Sequence, residues 1–168
     1  VTDSACDLRG EEVAELSIEI VPLSIRFGDD EYVDREQLTV DQFYALLADS
    51  EKLPETAAPS PGAFAAAFQR HLDAGASAVV CINLSAAVSA TMQSAVTAAE
   101  TINADIRVLD STSVTAGQGG IVLAAARAAA DGSSVDEVVA IAESAAARTH
   151  VFGALDTLEN LQKGGRIG

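Results

Sequence analysis

From residue 78 onward the chain alternates short β-branched runs with long helical ones, and that alternation admits few folds. The apolar run Val79-Val80-Cys81-Ile82 predicts a strand over 78–84, followed by a helix over 89–102. A second strand is expected over 106–109, then an Ala-rich helix over 115–130. Ser134-Val135-Asp136-Glu137 has the form of a capping box and opens a helix to 148. A third strand is expected over 151–155. Strands separated by helices of this length need crossover connections, which gives an α/β fold with a mainly parallel sheet and helices on both faces.

The first half is less regular. Residues 1–3 read as the tail of a strand, with a helix around 9–16. Residues 18–27 are β-rich, and Pro22 argues for an edge or a bulge there. Gly28-Asp29-Asp30 predicts a turn with a short return strand over 31–33. Thr39-Val40-Asp41-Gln42 opens a helix to 48. Residues 50–61, with Pro54, Pro59 and Pro61, are expected to be a loop. Ser60 before Pro61 is an N-cap followed by proline at the first helical position, and Gly75 ends that helix. Thr157 opens a short helix that Gly164-Gly165 stops.

The chain begins with Val, and Arg166-Ile167-Gly168 reads like the opening of a further segment. The expected organisation is therefore an N-terminal domain over 1–156 and the start of a second domain over 157–168, its remainder lying beyond. Hydrophobic residues make up 49% and aromatics 4%, so the core is expected to be Ala, Val, Leu and Ile. A net charge of −15 repels phosphate backbones and anionic lipid surfaces, which argues against nucleic-acid partners. No apolar run approaches the ~20 residues of a membrane span, so stable membrane insertion is not expected. No signal peptide opens the chain, and a cytoplasmic location is the expectation. Cys6 and Cys81 are too few for a disulfide framework; Cys81 reads as a buried small hydrophobe, and Cys6 has no neighbouring His to activate it.

Three strand ends run into small hydroxyl residues: Val1-Thr2-Asp3-Ser4, residues 79–85 with Ser89 and Thr91 beyond, and 106–113 with Asp110, Ser111 and Ser113. Ligands sit at the carboxyl ends of parallel strands, and helix N-termini favour anions. No His or Lys shares these edges, so the pattern suits an anionic head group and supplies no catalyst, metal set or cofactor motif. Asp3 and Asp110 would either bind a divalent cation or do acid–base work, or cap helices and tie down loops. Ser89 would either cap the following helix or face a ligand, and Ala90 would let the backbone come close to one. Thr56 has no capping role to fill and is free to face a ligand, whereas Ser60 is assigned to capping. Gly117-Gln118-Gly119-Gly120 departs from a dinucleotide fingerprint, because Val122 stands where the last glycine belongs; close helix packing is the expectation. Two rival readings are a metal-dependent enzyme on a small anionic substrate through Asp3 and Asp110, and a nucleotide site at 117–120.

Taken in order, the motifs resemble those of the DegV family of fatty-acid-binding proteins. Val1-Thr2-Asp3-Ser4-Ala5-Cys6-Asp7-Leu8 resembles the family's opening, and Thr56-Ala57-Ala58-Pro59-Ser60 its Thr-Ser-x-Pro-Ser loop. Leu84-Ser85-Ala86-Ala87-Val88-Ser89-Ala90-Thr91-Met92-Gln93-Ser94-Ala95 resembles its Ser-Ser-x-Leu-Ser-Gly-Thr-Tyr-Gln-Ser-Ala segment. Asp110-Ser111, Gly117-Gln118-Gly119 and Leu158-Glu159-Asn160-Leu161-Gln162-Lys163-Gly164-Gly165-Arg166-Ile167 follow in the family's order. The resemblance implies a two-domain α/β protein that buries one long-chain fatty acid, head group near the domain junction and tail in an apolar tunnel. It also implies that a separate fatty acid kinase subunit phosphorylates the carboxylate for lipid synthesis, the binding protein itself being no enzyme. By position, Thr56 and Ser89 would hydrogen-bond the carboxylate, and Arg166 would lie near the head group or at the kinase-docking surface. Asp3, Ser4, Ser60, Ala90, Asp110 and Ser111 would shape the cleft. Ala57, Ala86, Ala90 and Met92 depart from the family's Ser, Ser, Gly and Tyr, which removes a donor and reshapes the pocket wall.

Overall fold

The computed structural model describes residues 1–167; Gly168, the last residue of the expected 157–168 segment, lies outside the described residues. In chain order the elements are β1 (Thr2–Asp3), a 3-10 turn (Ser4–Cys6), α1 (Gly10–Glu15), β2 (Ile20–Val21), β3 (Ser24–Phe27) and β4 (Asp30–Val33). They continue with α2 (Val40–Asp49), β5 (Glu55–Ala57), α3 (Pro61–Asp73), β6 (Ala78–Asn83) and α4 (Thr91–Ala99). Then come β7 (Asp105–Asp110), α5 (Thr115–Ala130), α6 (Val135–Arg148) and α7 (Glu159–Lys163). The chain divides into two compact units: residues 1–21 with 58–151, and residues 22–57 with 152–168. The second unit draws on two separate stretches of the chain.

The first unit is built on a parallel sheet of order β2-β1-β6-β7. Successive side chains of a strand point to opposite faces, and β6 shows what each face meets. Ile82 packs with Ile121, Val122 and Ala125 of α5 and with Val138 and Ala142 of α6. Val79 and Cys81 pack on the other face with Phe64, Ala67 and Phe68 of α3 and with Ala95 and Ala98 of α4. Helices thus cover both faces, as the alternation predicts. The two phenylalanines are fully buried, their rings 6.0 Å apart, each contributing about 1.5–3 kcal/mol by burial. Ser60 caps α3 by accepting from the Ala63 N–H, with Pro61 opening the helix. The expected capping boxes of α2 and α6 form, Thr39 with Gln42 and Ser134 with Glu137.

The second unit holds an antiparallel sheet of order β4-β3-β5. Gly28, at φ 61°, makes the tight turn between β3 and β4, a conformation that costs a glycine little. The β-rich run 18–27 is split by Pro22 into β2, parallel in the first unit, and β3, antiparallel in the second. Phe27 of β3 meets Phe43 of α2 edge-on, ring centroids 5.7 Å apart.

Two expectations fail here. Residues 50–61 are not all loop: Glu55–Ala57 pair with Ser24–Arg26 as β5. Three prolines hid this strand, yet an edge strand tolerates proline beside it because one side needs no partner. The strand expected over 151–155 is absent, and Phe152 and Leu155 are 91% and 58% exposed. Its composition suits a strand, but a strand exists only where a neighbour accepts and donates its backbone hydrogen bonds. No described strand pairs with it.

Candidate functional site

The carboxyl ends of β1 and β6 form one buried polar network. Asp3 is wholly buried at the end of β1. Its Oδ1 accepts from the Ala5 N–H at 3.1 Å and from Gln118 Nε2 at 3.0 Å. Its Oδ2 accepts from Asn83 Nδ2 at 3.1 Å and from the Leu84 N–H at 2.9 Å. Gln118 Nε2 also donates to Thr2 Oγ1 at 3.1 Å, and that hydroxyl donates to the Ile82 carbonyl at 2.7 Å. Four N–H donors thus meet both oxygens of this buried group, which offsets the cost of taking it out of water. The orientation of the Gln118 amide follows from Asp3, which needs donors, and it leaves Gln118 Oε1 without a partner among the described residues. Ser4 is buried in the 3-10 turn that follows.

Asp110, at the end of β7, is used in the same way. It accepts from the Thr112 N–H at 2.7 Å and from the Ala86 N–H at 3.3 Å, which ties the β7 loop to the loop after β6. Ser111 is buried; its Oγ donates to the Ser113 carbonyl at 3.1 Å and accepts from the Ser113 N–H at 3.2 Å. Both aspartates thus serve loop and backbone groups. Among the described residues no three His, Cys, Asp or Glu side chains are placed to hold a metal ion.

Ser89 lies just before α4, half-buried. Its Oγ accepts from the Thr91 N–H at 3.2 Å and lies 2.9 Å from Thr91 Oγ1. The residue at the helix boundary is Ala90, which offers no side-chain cap, so α4 starts two residues later than expected. The next N–H groups of the first turn have no acceptor within the helix, so they are available to an anion together with the Ser89 hydroxyl. A side chain as small as that of Ala90 keeps the approach open.

Thr56 belongs to the second unit, exposed on β5 opposite Ile25. Arg166 of the same unit reaches it, with Nη2 donating to Thr56 Oγ1 at 3.4 Å. Thr56 and Arg166 are thereby brought together, while Asp3, Ser4, Ser89, Ala90, Asp110 and Ser111 sit in the first unit, as does Ser60 in its capping role.

The Gly-rich motif is explained by contact distances. A Cβ on Gly119 would fall 2.4 Å from the Cys6 carbonyl oxygen, and one on Gly117 would fall 2.3 Å from Ser113 Oγ. These glycines let α5 lie against the strand ends so that Gln118 reaches Asp3. Sequence reasoning missed Gln118 and Asn83 as partners of Asp3, and Thr2 as a partner of Gln118; the available signal was a long polar residue set between two glycines at the start of an apolar helix. Both cysteines are buried without a disulfide. Burial pushes the Cys81 thiol up to about 12, which makes it unreactive. His71 lies at the C-terminal end of α3 with Nε2 3.0 Å from Glu19 Oε2, far in sequence from the strand ends; burial lowers its pKa. No helix of the described residues is long and apolar enough to cross a membrane.

Comparison with known proteins gives this geometry its relatives. A family model described as an uncharacterised protein of the DegV family matches residues 1–168. A DegV domain-containing protein of Streptococcus pyogenes is 34% identical over 168 residues, 100% of this chain and 60% of the relative. A fatty-acid-binding DegV family protein from Thermus thermophilus is 32% identical with a TM-score of 0.92, covering 99% of this chain and 59% of that one. A stearic-acid-binding protein from Eubacterium ventriosum is 32% identical with a TM-score of 0.77, over 84% of this chain and 50% of that one. The chain thus spans about three-fifths of the length of the curated relatives it matches. A family model matched from end to end, on a fold that superposes on solved members, shows that the chain belongs to the DegV family.

Proposed function

We propose that this chain is the fatty-acid-binding part of a DegV protein, that it takes one long-chain fatty acid, and that it performs no chemistry on it. The observation that carries the reading is the similarity, at 32% identity, to a fatty-acid-binding DegV family protein from Thermus thermophilus and to a stearic-acid-binding protein from Eubacterium ventriosum. The strand ends support it. Asp3 and Asp110 are occupied by N–H donors, which leaves neutral hydroxyls and helix N–H groups as the donors for a carboxylate. Each buried CH₂ adds about 0.8 kcal/mol, so an acyl chain supplies most of the affinity and the head group needs only a few hydrogen bonds.

In this reading Thr56 and Ser89 hold the carboxylate, and Arg166 stands near the head group or meets the partner. The acyl chain lies in an apolar tunnel. The partner is a separate fatty acid kinase subunit in the cytoplasm, which converts the presented carboxylate to an acyl phosphate for lipid synthesis. A second domain, opening with 157–168, completes the surroundings of the head group; the greater length of the relatives supports this. The decisive experiment is mass spectrometry of lipid released from the full-length protein on denaturation, together with uptake of a labelled fatty acid. A bound or captured fatty acid is expected. Full-length protein that neither carries nor takes up a fatty acid overturns the proposal.

A further inference from the structure

An arch of backbone from Leu84 to Ser89 joins β6 to α4, and each N–H along it up to Val88 has an acceptor. Leu84 donates to Asp3 Oδ2 at 2.9 Å. Ser85 donates to the Ser113 carbonyl at 2.8 Å. Ala86 donates to the Asp110 carboxylate, 3.3 Å from either oxygen. Ala87 and Val88 close on Ser85 itself, at its Oγ (3.3 Å) and its carbonyl (3.1 Å). The ties at Ser85 and Ala86 thus come from the end of β7 and the loop that follows it, and the arch they hold delivers Ser89.

That loop keeps a costly shape. Thr112 and Thr115 lie at φ 50° and 53°, the left-handed region that a β-branched residue rarely enters. Such a conformation persists only where the surroundings over-determine it. Here Asp110 Oδ1 accepts from the Thr112 N–H at 2.7 Å, and Ser111 Oγ meets both backbone groups of Ser113. Yet Asp110 is only half-buried, and Ala86 and Thr112 are exposed, so water can replace Asp110 at both N–H groups. Hydrogen bonds that water can replace add little to stability. Strain held by such bonds points to placement of the arch as what the loop supplies.

We propose that Asp110 is a positioning residue for the ligand's head group: through the Ala86 N–H it fixes the arch, and with it the Ser89 hydroxyl, without touching the ligand. The inference rests on the reading in which Ser89 holds a fatty acid carboxylate. Asp110 Oδ1 by itself lies within reach of both the Ala86 and the Thr112 N–H groups. An amide oxygen in the same place would therefore serve as well, so Asp110 acts by where its oxygen stands and not by its charge.

The test uses the full-length protein and two ligands with the same tail and different heads, palmitic acid and cetyl alcohol. Asp110→Ser keeps an oxygen for the Thr112 N–H, as serine does in turns, but falls short of Ala86. Asp110→Asn keeps an oxygen for both. Asp110→Ser is expected to weaken palmitic acid about tenfold, to leave cetyl alcohol within about twofold, and to melt within about 4 °C of the parent protein. Asp110→Asn is expected to restore palmitic acid binding to within about twofold of the parent. An Asp110→Ser protein that binds the acid as the parent does, or that loses acid and alcohol alike, overturns the proposal. So does an Asp110→Asn protein as weak as Asp110→Ser, since charge would then be what Asp110 supplies. Parent protein that takes up neither ligand overturns the fatty acid reading itself, and this inference with it.

Discussion

The two units handle polar residues in opposite ways. In the first, polar side chains at the strand ends are buried and occupied: Asp3 accepts four N–H donors, and Ser111 is satisfied by the loop it sits in. In the second, Thr56 stands exposed on an edge strand, touched by one arginine. A buried carboxylate without partners would cost several kcal/mol, so Asp3 and the buried groups around it are committed to holding the fold. An exposed hydroxyl has no such duty, and its chemistry is available for a ligand. The same residue types are therefore spent on structure where they are buried and left open to a ligand where they are exposed.

The largest test of this contrast is Asp3→Ala. It strands four donors in the interior and is expected to cost at least about 3 kcal/mol, read as a lower denaturant midpoint. A loss below ~1 kcal/mol would break the comparison, since Asp3 would then not be structural. Gly119→Ala comes next, because its Cβ would fall on the backbone oxygen of Cys6 and not on a flexible side chain. A destabilisation of about 1–3 kcal/mol is expected by thermal unfolding. Gly120→Ala, one residue along and facing open space, is expected to stabilise by about 0.5–1 kcal/mol.

Thr56→Ala should move stability by no more than about 0.5 kcal/mol, yet weaken fatty acid binding about tenfold or more in the full-length protein. Unchanged affinity would remove Thr56 from the head-group assignment. The smallest effect concerns Cys81, whose thiol is held above its ordinary value near 9 by burial. Its contribution is fully present below pH 9, where the thiol is neutral in both states, and is lost as pH rises toward 12, because the unfolded chain ionises first. Cys81→Ala should flatten the alkaline part of a stability-versus-pH curve, and an unaltered slope would reject this account.

How far these features were legible differs by element. The strands β6 and β7 and the helices α3, α5 and α6 could be read from periodicity and caps, because each carries its own signal in Val79-Val80-Cys81-Ile82, Ser60-Pro61 and Ser134 with Glu137. The strand β5 could not, because three residues between prolines give no period and become a strand only against β3. The residues 151–155 show the reverse error, a strand-like composition with no partner to realise it. At the site, the choice of Asp3 and Asp110 as ties over metal ligands was visible as an alternative, while Gln118 was not, since it lies 115 residues from Asp3.

By itself, then, the sequence determined the layered α/β architecture, the capped helices and the DegV membership, all of which rest on local patterns and their order along the chain. The tertiary structure decided which polar residues are spent on the fold, and how the run 18–27 is divided between two sheets. Those outcomes depend on burial and on contacts between residues distant in sequence. An aspartate reads the same in the chain whether four N–H groups or a solvent shell await it, and only packing distinguishes the two.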